Sequence, residues 1–220
     1  MQPSASFYFD LASPLCYLAA ERVLHTLAVP AQWQPVLARE LTSAQRSPGA
    51  PTNGSAPAGE EPLSTHLPAP ASADAGGRER YRTRIAELAR ELALQPLRWP
   101  AEFPFDSALA MRAATYASSI GRGVAFAQAA FRQAFAGGRD LGERDGVLIA
   151  AASCEMHPAA VLQALERQGI ARELEHATAC AAAAGVRSVP ALAVAGRVFA
   201  GEHALQLAAA HAGATAGGAP

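Results

Sequence analysis

Ser13 and Cys16 have residue types and a spacing that could do chemistry. They frame the tetrad Ser13-Pro14-Leu15-Cys16, which follows the short aromatic-rich segment 6–11. Serine followed by proline is typical of a helix start, because the hydroxyl can cap the helix and proline is tolerated at its first position. The same N-terminus carries unpaired N–H groups and a partial positive charge, which stabilise an anion such as a thiolate. The tetrad predicts either a plain cap or a thiolate site.

Val189 and Pro190 form a second candidate feature far along the chain. The pair leads into the apolar run Ala191 to Val194. A cis peptide between them would turn a free backbone edge toward the start of the first helix. We therefore expect the tetrad and Val189-Pro190 to meet in space.

The composition excludes several other chemistries. All 18 basic residues are arginines, so neither a lysine Schiff base nor a P-loop lysine is available. The three cysteines are an odd number without a CxxC motif, which predicts neither a disulfide framework nor a zinc site. A net charge of −1 gives no electrostatic footprint for nucleic acid or an anionic membrane. Without a basic leader or a long apolar stretch, we expect a cytoplasmic protein.

The elements that must position these residues fall into three groups. Strand 6–11, a helix from Ser13 to Val29 and strand 32–37 form a βαβ unit. Several helices are predicted over 78–185, and a β-hairpin with a short helix follows over 186–212. Residues 47–77, rich in Pro, Gly, Ala and Ser, are expected to be a mobile loop, and disorder is expected from Gly213.

This order predicts an α/β fold, in which a thioredoxin-like domain is interrupted by an all-helical insertion. The thioredoxin-like part would comprise 5–45 and 186–212, and the insertion 78–185. The βαβ and ββα halves would then form one sheet, although a long block of helices separates them in sequence.

Three segments resemble the 2-hydroxychromene-2-carboxylate isomerases: FYFDLASPLCYLA at 7–19, LRWPAEFPFDSALAMRA at 97–113 and GVRSVPALAVAGRVFAGEHAL at 185–205. These isomerases belong with the kappa-class glutathione transferases to the DsbA-like branch of the thioredoxin fold. Redox members of the branch open the first helix with Cys-Pro-x-Cys, whereas the isomerases and kappa transferases have serine at its first position. A serine hydroxyl cannot form the mixed disulfide of thiol exchange.

The resemblance implies a role for each candidate residue. Ser13 would hold the thiolate of glutathione, or of another low-molecular-weight thiol, which adds reversibly to a small aromatic-degradation type substrate. Val189 and Pro190 would clamp the backbone of the cofactor, and Glu202 and His203, at the place of Gln and Asp in the isomerases, would reach its γ-glutamyl end.

The remaining implied roles concern the substrate and the assembly. Asp106, which stands where many relatives have Asn, would contact substrate or cap its helix, and Cys16 is a second candidate for substrate contact. Without lysine, a cation for a substrate carboxylate must be arginine, and Arg39, Arg98 and Arg187 are the candidates. No metal is implied, and a homodimer is possible because dimers are common in the family.

Three other functions remain open. A kappa-type transferase would use the same thiolate to form a stable thioether. A DsbA-like thiol-disulfide oxidoreductase would act through Cys16 alone. A degenerate thioredoxin-like binding module would have no activity, and Glu202-His203 in place of Gln-Asp makes this reading credible.

Overall fold

The computed structural model describes residues 5–43 and 75–216 of the 220-residue chain. In these residues four short strands form one sheet, and helices cover both of its faces. The strands are β1 (Ala5–Phe9), β2 (Ala31–Pro35), β3 (Ala191–Val194) and β4 (Arg197–Ala200). The helices are α1 (Pro14–Ala20), α2 (Val23–Thr26), α3 (Ala38–Ser43), α4 (Ala75–Glu91), α5 (Ala108–Ser119), α6 (Gly123–Phe135), α7 (Arg144–Ala152), α8 (Pro158–Glu166), α9 (Gln168–Ala183) and α10 (Ala204–Ala216).

The sheet joins the two ends of the described chain. Its order is β2-β1-β3-β4, with β1 parallel to β2 and antiparallel to β3. The hairpin between β3 and β4 turns at Ala195 and Gly196, which both have the positive φ that a two-residue hairpin turn needs. The predicted βαβ and ββα halves, with helices between them, are confirmed.

Several local predictions differ from the structure. The helix expected from Ser13 to Val29 is divided into α1 and α2, because the Arg22 N–H bonds back three residues to Ala19 at 3.0 Å and tightens the chain into a turn. Helix α3 was not predicted. Helix α10 continues to Ala216, past the glycine where disorder was expected, and 217–220 lie outside the described residues.

Apolar side chains alternate between the two faces of the sheet. Phe7, Phe9 and Leu192 face the larger cluster, which includes α1, α10 and the helical block. Tyr8 and Ala191 point the other way, toward α3 and α9. Helix α9 is also tied to the chain after β2, since the Leu37 N–H donates to the Thr178 hydroxyl at 3.0 Å. Both faces of the sheet are therefore covered.

The helical block shares its core with the sheet. One apolar cluster contains side chains from β1, α1 and α4 through α8. The division of the chain into a thioredoxin-like domain (5–45 and 186–212) and a helical insertion (78–185) stays a prediction.

The expected loop 47–77 falls mostly outside the described residues. Residues 47–74 are not described, and 75–77 already form the first turn of α4. No helix within 5–43 and 75–216 is long and apolar enough to cross a membrane.

Phe135 joins the block to α1 and provides a test of this shared core. Its ring is fully buried and lies 5.8 Å from Tyr17, 6.1 Å from Trp99 and 6.2 Å from Phe103, measured between centroids. We expect Phe135→Ala to lower the free energy of unfolding by about 3–5 kcal/mol, because it removes buried surface and leaves a cavity. Urea denaturation measures this. Ile149→Ala, at an exposed apolar residue, is the control, and an equal loss there would contradict the assignment.

Candidate functional site

The candidate residues converge at one end of the sheet. Strands β1 and β3 are antiparallel with Tyr8 opposite Ala191, so the end of β1 lies beside the start of β3. Strand β4 returns to the same end, where the Gly201 N–H donates to the Pro190 carbonyl at 2.9 Å. The topology thus brings the turn that contains Ser13, the cis-proline segment and the turn after β4 to one edge.

Ser13 caps α1. Its backbone is extended, and its hydroxyl oxygen accepts the N–H of Cys16 at 3.3 Å. Its own N–H donates to the carbonyl of Asp10 at 3.0 Å. Because the hydroxyl oxygen is the acceptor in the capping bond, the hydroxyl proton is left for another acceptor. Capping the helix and binding a thiolate are therefore compatible.

Val189 presents an open peptide edge beside this helix start. The peptide bond between Val189 and Pro190 is cis, as expected from the sequence. Val189 is half-buried, and within the described residues its backbone N–H and carbonyl form no hydrogen bond. These two groups can therefore pair with the backbone of a bound peptide.

Asp10 closes the turn between β1 and α1. One carboxylate oxygen accepts the Ala12 N–H and the other the Ala38 N–H, each at 2.9 Å. The residue is only 3% exposed. Burial raises the pKa of this carboxyl, while the two backbone N–H groups, the Ser107 hydroxyl and the Arg39 charge act in the opposite direction. An aspartate at the end of an apolar strand was the available sequence signal for this turn.

Cys16 lies in the core and is 0% exposed. Burial raises the pKa of its thiol to about 12, against a smaller lowering by the Ser13 hydroxyl. The neighbouring Tyr81 on α4 is also buried, and burial raises the pKa of its phenol. The thiol of Cys16 is protonated near neutral pH, and this placement gives no support to its predicted contact with substrate.

Glu202 and His203 border a groove of about 130 Å³ between α1, α4 and the start of α10. The Glu202 side chain is only 7% exposed, and its Oε1 lies 2.6 Å from a guanidinium nitrogen of Arg84. His203 is exposed, with Nε2 4.0 Å from the same carboxylate oxygen. Arg22 and Glu91 complete the charged lining, and leucines of α1 and α4 supply the apolar part. The groove offers both charge signs to a ligand.

Asp106 lies in the loop before α5. Its Oδ1 accepts the Ala108 N–H at 2.9 Å and is 2.8 Å from a guanidinium nitrogen of Arg39. The Ala108 N–H, together with Arg39, holds the pKa of this carboxyl below its usual value, against the opposing effect of burial. Asp106 thus caps its helix, one of the two roles expected, and contact with substrate stays a prediction.

The other candidate arginines are placed differently from Arg39. The Arg187 guanidinium donates to the Ala182 carbonyl at the end of α9, and the Arg98 N–H bonds to the Phe135 carbonyl at 2.8 Å. Arg84 was missed from the sequence. A helical arginine that pairs with a buried carboxylate has the same sequence pattern as a helical arginine exposed to solvent. Nothing in the sequence therefore pointed to Arg84.

Metal ligands do not cluster in the described part of the chain. Across 5–43 and 75–216, no group of three or more His, Cys, Asp or Glu side chains is arranged to hold a metal ion.

Comparisons with known proteins agree on the fold. The model of the DsbA-like thioredoxin domain matches residues 5–212. No curated protein sequence matches the chain significantly. A solved 2-hydroxychromene-2-carboxylate isomerase superimposes with a TM-score of 0.77 at 15% identity, covering 97% of this chain and 96% of its own.

Two other similar structures are thiol oxidoreductases. A probable DsbA oxidoreductase from Streptomyces coelicolor has a TM-score of 0.73 at 17% identity, covering 100% of this chain and 92% of its own. The cytosolic disulfide reductase DsbM from Pseudomonas aeruginosa, solved with GSH, has a TM-score of 0.61 at 16% identity and covers 97% of each chain. These similarities establish the thioredoxin-like fold.

The cysteines differ enough in burial to be distinguished by labelling. Cys180 is exposed, whereas Cys16 and Cys154 are buried and have raised thiol pKa values because of burial. With a disulfide reagent at neutral pH, we expect the native protein to react rapidly at Cys180 alone and at all three cysteines when unfolded. Cys180→Ser should remove the rapid phase, and rapid native labelling of Cys16 would contradict its placement.

Proposed function

The chain belongs to the DsbA-like thioredoxin family, and within that family we propose that it is a glutathione-dependent isomerase whose Ser13 holds the cofactor thiolate. The observation that carries the proposal is the geometry of the Ser13 hydroxyl. Its oxygen accepts the Cys16 N–H at the start of α1, so its proton is available to a sulfur anion.

The start of α1 also supplies electrostatic stabilisation. Pro14 has no N–H and the Cys16 N–H is capped by Ser13, so the Leu15 N–H is the group of the first turn without a helical partner, and the helix dipole places partial positive charge there. A thiolate bound at Ser13 would receive the hydroxyl hydrogen bond together with this field. Both effects lower the pKa of a bound thiol and raise the fraction present as the nucleophile.

The open peptide at Val189 supports a peptide-like cofactor. Its free N–H and carbonyl can form the paired bonds that one extended strand makes with another, with Pro190 fixing the direction of the edge. The cysteinyl part of glutathione would bind here, so that its sulfur faces the start of α1.

The groove beside Glu202 supports the other end of the same cofactor. A γ-glutamyl group ends in an ammonium and a carboxylate, and the groove supplies two glutamates and two arginines. Arg84 would bind the carboxylate while remaining paired with Glu202, and Glu91 or Glu202 would attract the ammonium.

When bound, the thiol would supply a nucleophile that adds reversibly to a conjugated double bond and allows rotation about it. Ser13 would hold the thiolate before addition and accept it again on departure. The substrate would be a small molecule of the aromatic-degradation type, with Arg39 the arginine best placed beside the site for its carboxylate. A homodimer and a cytoplasmic location remain predictions.

An oxidoreductase acting through Cys16 has less support. Its thiol is fully buried, and the raised pKa leaves it protonated near neutral pH. A kappa-type transferase would use the same cofactor site, so the two functions differ only in the fate of the adduct. Release of an isomerised substrate favours the isomerase, whereas a stable thioether with a halogenated nitroaromatic favours the transferase.

Replacing Ser13 tests the proposal directly. We expect Ser13→Ala to lower glutathione-dependent isomerisation of 2-hydroxychromene-2-carboxylate by roughly 10- to 100-fold, the effect of losing a hydrogen bond to a charged group. Turnover with and without glutathione measures this. His157→Ala is the matched control, because His157 caps α8 through its side chain.

Each outcome of this experiment separates the functions. Thiol-dependent turnover that falls in Ser13→Ala but persists in His157→Ala supports the proposal. If the parent protein has no turnover and calorimetry detects no glutathione binding, the isomerase proposal is wrong and a binding module is favoured. Disulfide reduction that survives Ser13→Ala and disappears in Cys16→Ala would favour the oxidoreductase.

The role of the groove is tested by a thermodynamic cycle in which one change is made in the protein and the other in the ligand. The double variant Arg84→Gln/Glu202→Gln removes a buried carboxylate together with its partner and so avoids an unpaired buried charge. We expect its affinity for glutathione to fall about 5- to 10-fold, since the pair is partly solvated, and its affinity for cysteinylglycine to stay unchanged. Calorimetry with both ligands measures the difference.

Arg90→Gln is the control for this cycle, because Arg90 is exposed on the same helix and does not line the groove. Its affinity for both ligands should match that of the parent. An equal loss of affinity for both ligands in the double variant would place the γ-glutamyl group elsewhere.

A further inference from the structure

Asp10 bonds to two segments that are distant in sequence. Its Oδ1 accepts the Ala12 N–H in the turn that leads to Ser13, and its Oδ2 accepts the Ala38 N–H at the first residue of α3. The two carboxylate oxygens therefore hold the turn after β1 and the helix after β2 in one arrangement. Both bonds measure 2.9 Å.

The same residue also bonds to Ser13 through its main chain. The Ser13 N–H donates to the Asp10 carbonyl at 3.0 Å. The turn is thus closed by one main-chain and one side-chain bond of Asp10, and the second carboxylate oxygen anchors it to α3. With this turn fixed, the backbone of Ser13 is fixed as well, and so is the direction from which its hydroxyl leaves the chain.

Burial makes the hydrogen bonds of the Asp10 carboxylate hard to replace. Asp10 is only 3% exposed, so water cannot readily replace a lost backbone partner. The groups around the carboxyl are the Ser107 hydroxyl, the Arg39 guanidinium and the thiol of Cys16. Arg39 is itself paired with Asp106. The carboxylate therefore works mainly through its two backbone partners.

We propose that Asp10 is a positioning residue for the bound thiolate, acting through the direction in which it holds the Ser13 hydroxyl. This inference rests on the proposed function, because it assigns Ser13 the thiolate. It goes further because a buried carboxyl that does not touch the cofactor would control the contact between the Ser13 hydroxyl and the thiolate.

Asn at residue 10 keeps the size of the side chain and removes one of the two acceptors. Its amide NH₂ would face either the Ala12 or the Ala38 N–H, and two donors cannot bond. The turn then loses either its side-chain closure or its anchor to α3, while the bond from the Ser13 N–H to the Asp10 carbonyl remains, and the Ser13 hydroxyl is no longer held in one direction. A positioning role predicts that Ser13 contributes little to thiol binding in this variant.

A double-mutant cycle measures this coupling. Glutathione affinity is determined by calorimetry for the parent, Ser13→Ala, Asp10→Asn and the double variant. We expect Ser13→Ala to weaken binding roughly 10- to 100-fold in the parent, but less than about threefold in the Asp10→Asn background, because the two residues act on one contact. If the two substitutions instead weaken binding by independent factors that multiply in the double variant, the positioning role is overturned.

Asp140→Ala is the matched control. Asp140 Oδ1 accepts the Gly142 N–H at 2.6 Å, which closes a turn of the same kind before α7, and alanine removes that acceptor. In that background Ser13→Ala should keep its full effect on binding. If Asp140→Ala reduces the effect of Ser13→Ala as much as Asp10→Asn does, a general loss of rigidity explains the result and the inference is wrong.

A second variant covers the case in which Asp10→Asn does not fold. Ala38→Pro removes the N–H that bonds to the second carboxylate oxygen and places a ring carbon against that oxygen instead, and proline is tolerated at the first position of a helix. It should also reduce the effect of Ser13→Ala, and an undiminished effect there would overturn the inference. If Ser13→Ala has no effect even in the parent, the proposed function itself fails, which the parent measurement identifies separately.

Discussion

A buried carboxylate at the end of β1 connects the parts of the chain that surround the site. Asp10 accepts backbone N–H groups from the turn before α1 and from the start of α3, each at 2.9 Å. The first N–H groups of a helix have no partner within it, so the carboxylate satisfies a donor of α3 while it closes the turn to α1. A buried carboxyl without such partners would be strongly unfavourable. The end of the strand and the starts of two helices are thus held together.

For the proposed function, the site would have to create positive potential without lysine and without a reactive thiol of its own. The chain contains no lysine, and Cys16 is buried and protonated near neutral pH. The remaining sources of positive charge are helix N-termini, backbone N–H groups and guanidinium groups. They are found at the start of α1, at Val189 and in the groove with Arg84. This combination suits an external thiol better than an internal disulfide.

Residues of the helical block contribute directly to this edge of the sheet. Arg84 on α4 pairs with Glu202 after β4, and Asp106 before α5 pairs with Arg39 on α3. The first pair contains a carboxylate that is largely buried, so it needs its partner, whereas the second is exposed and contributes little to stability. The block would therefore be part of the proposed site, and we expect changes in it to alter the ligand that the groove would accept.

The sequence by itself determined the order of the elements, the capped start of α1 at Ser13-Pro14 and the proline before β3. These features are local: capping, proline geometry and alternating apolar residues act over a few neighbouring positions. The sequence did not predict the break after α1, helix α3 or the start of α4 at Ala75. For α3 the reason is a tertiary bond, because the Asp10 carboxylate accepts the N–H of its first residue, Ala38. Only the tertiary structure assigned Arg84 to Glu202, since the solvation of a side chain depends on elements distant in sequence that pack around it.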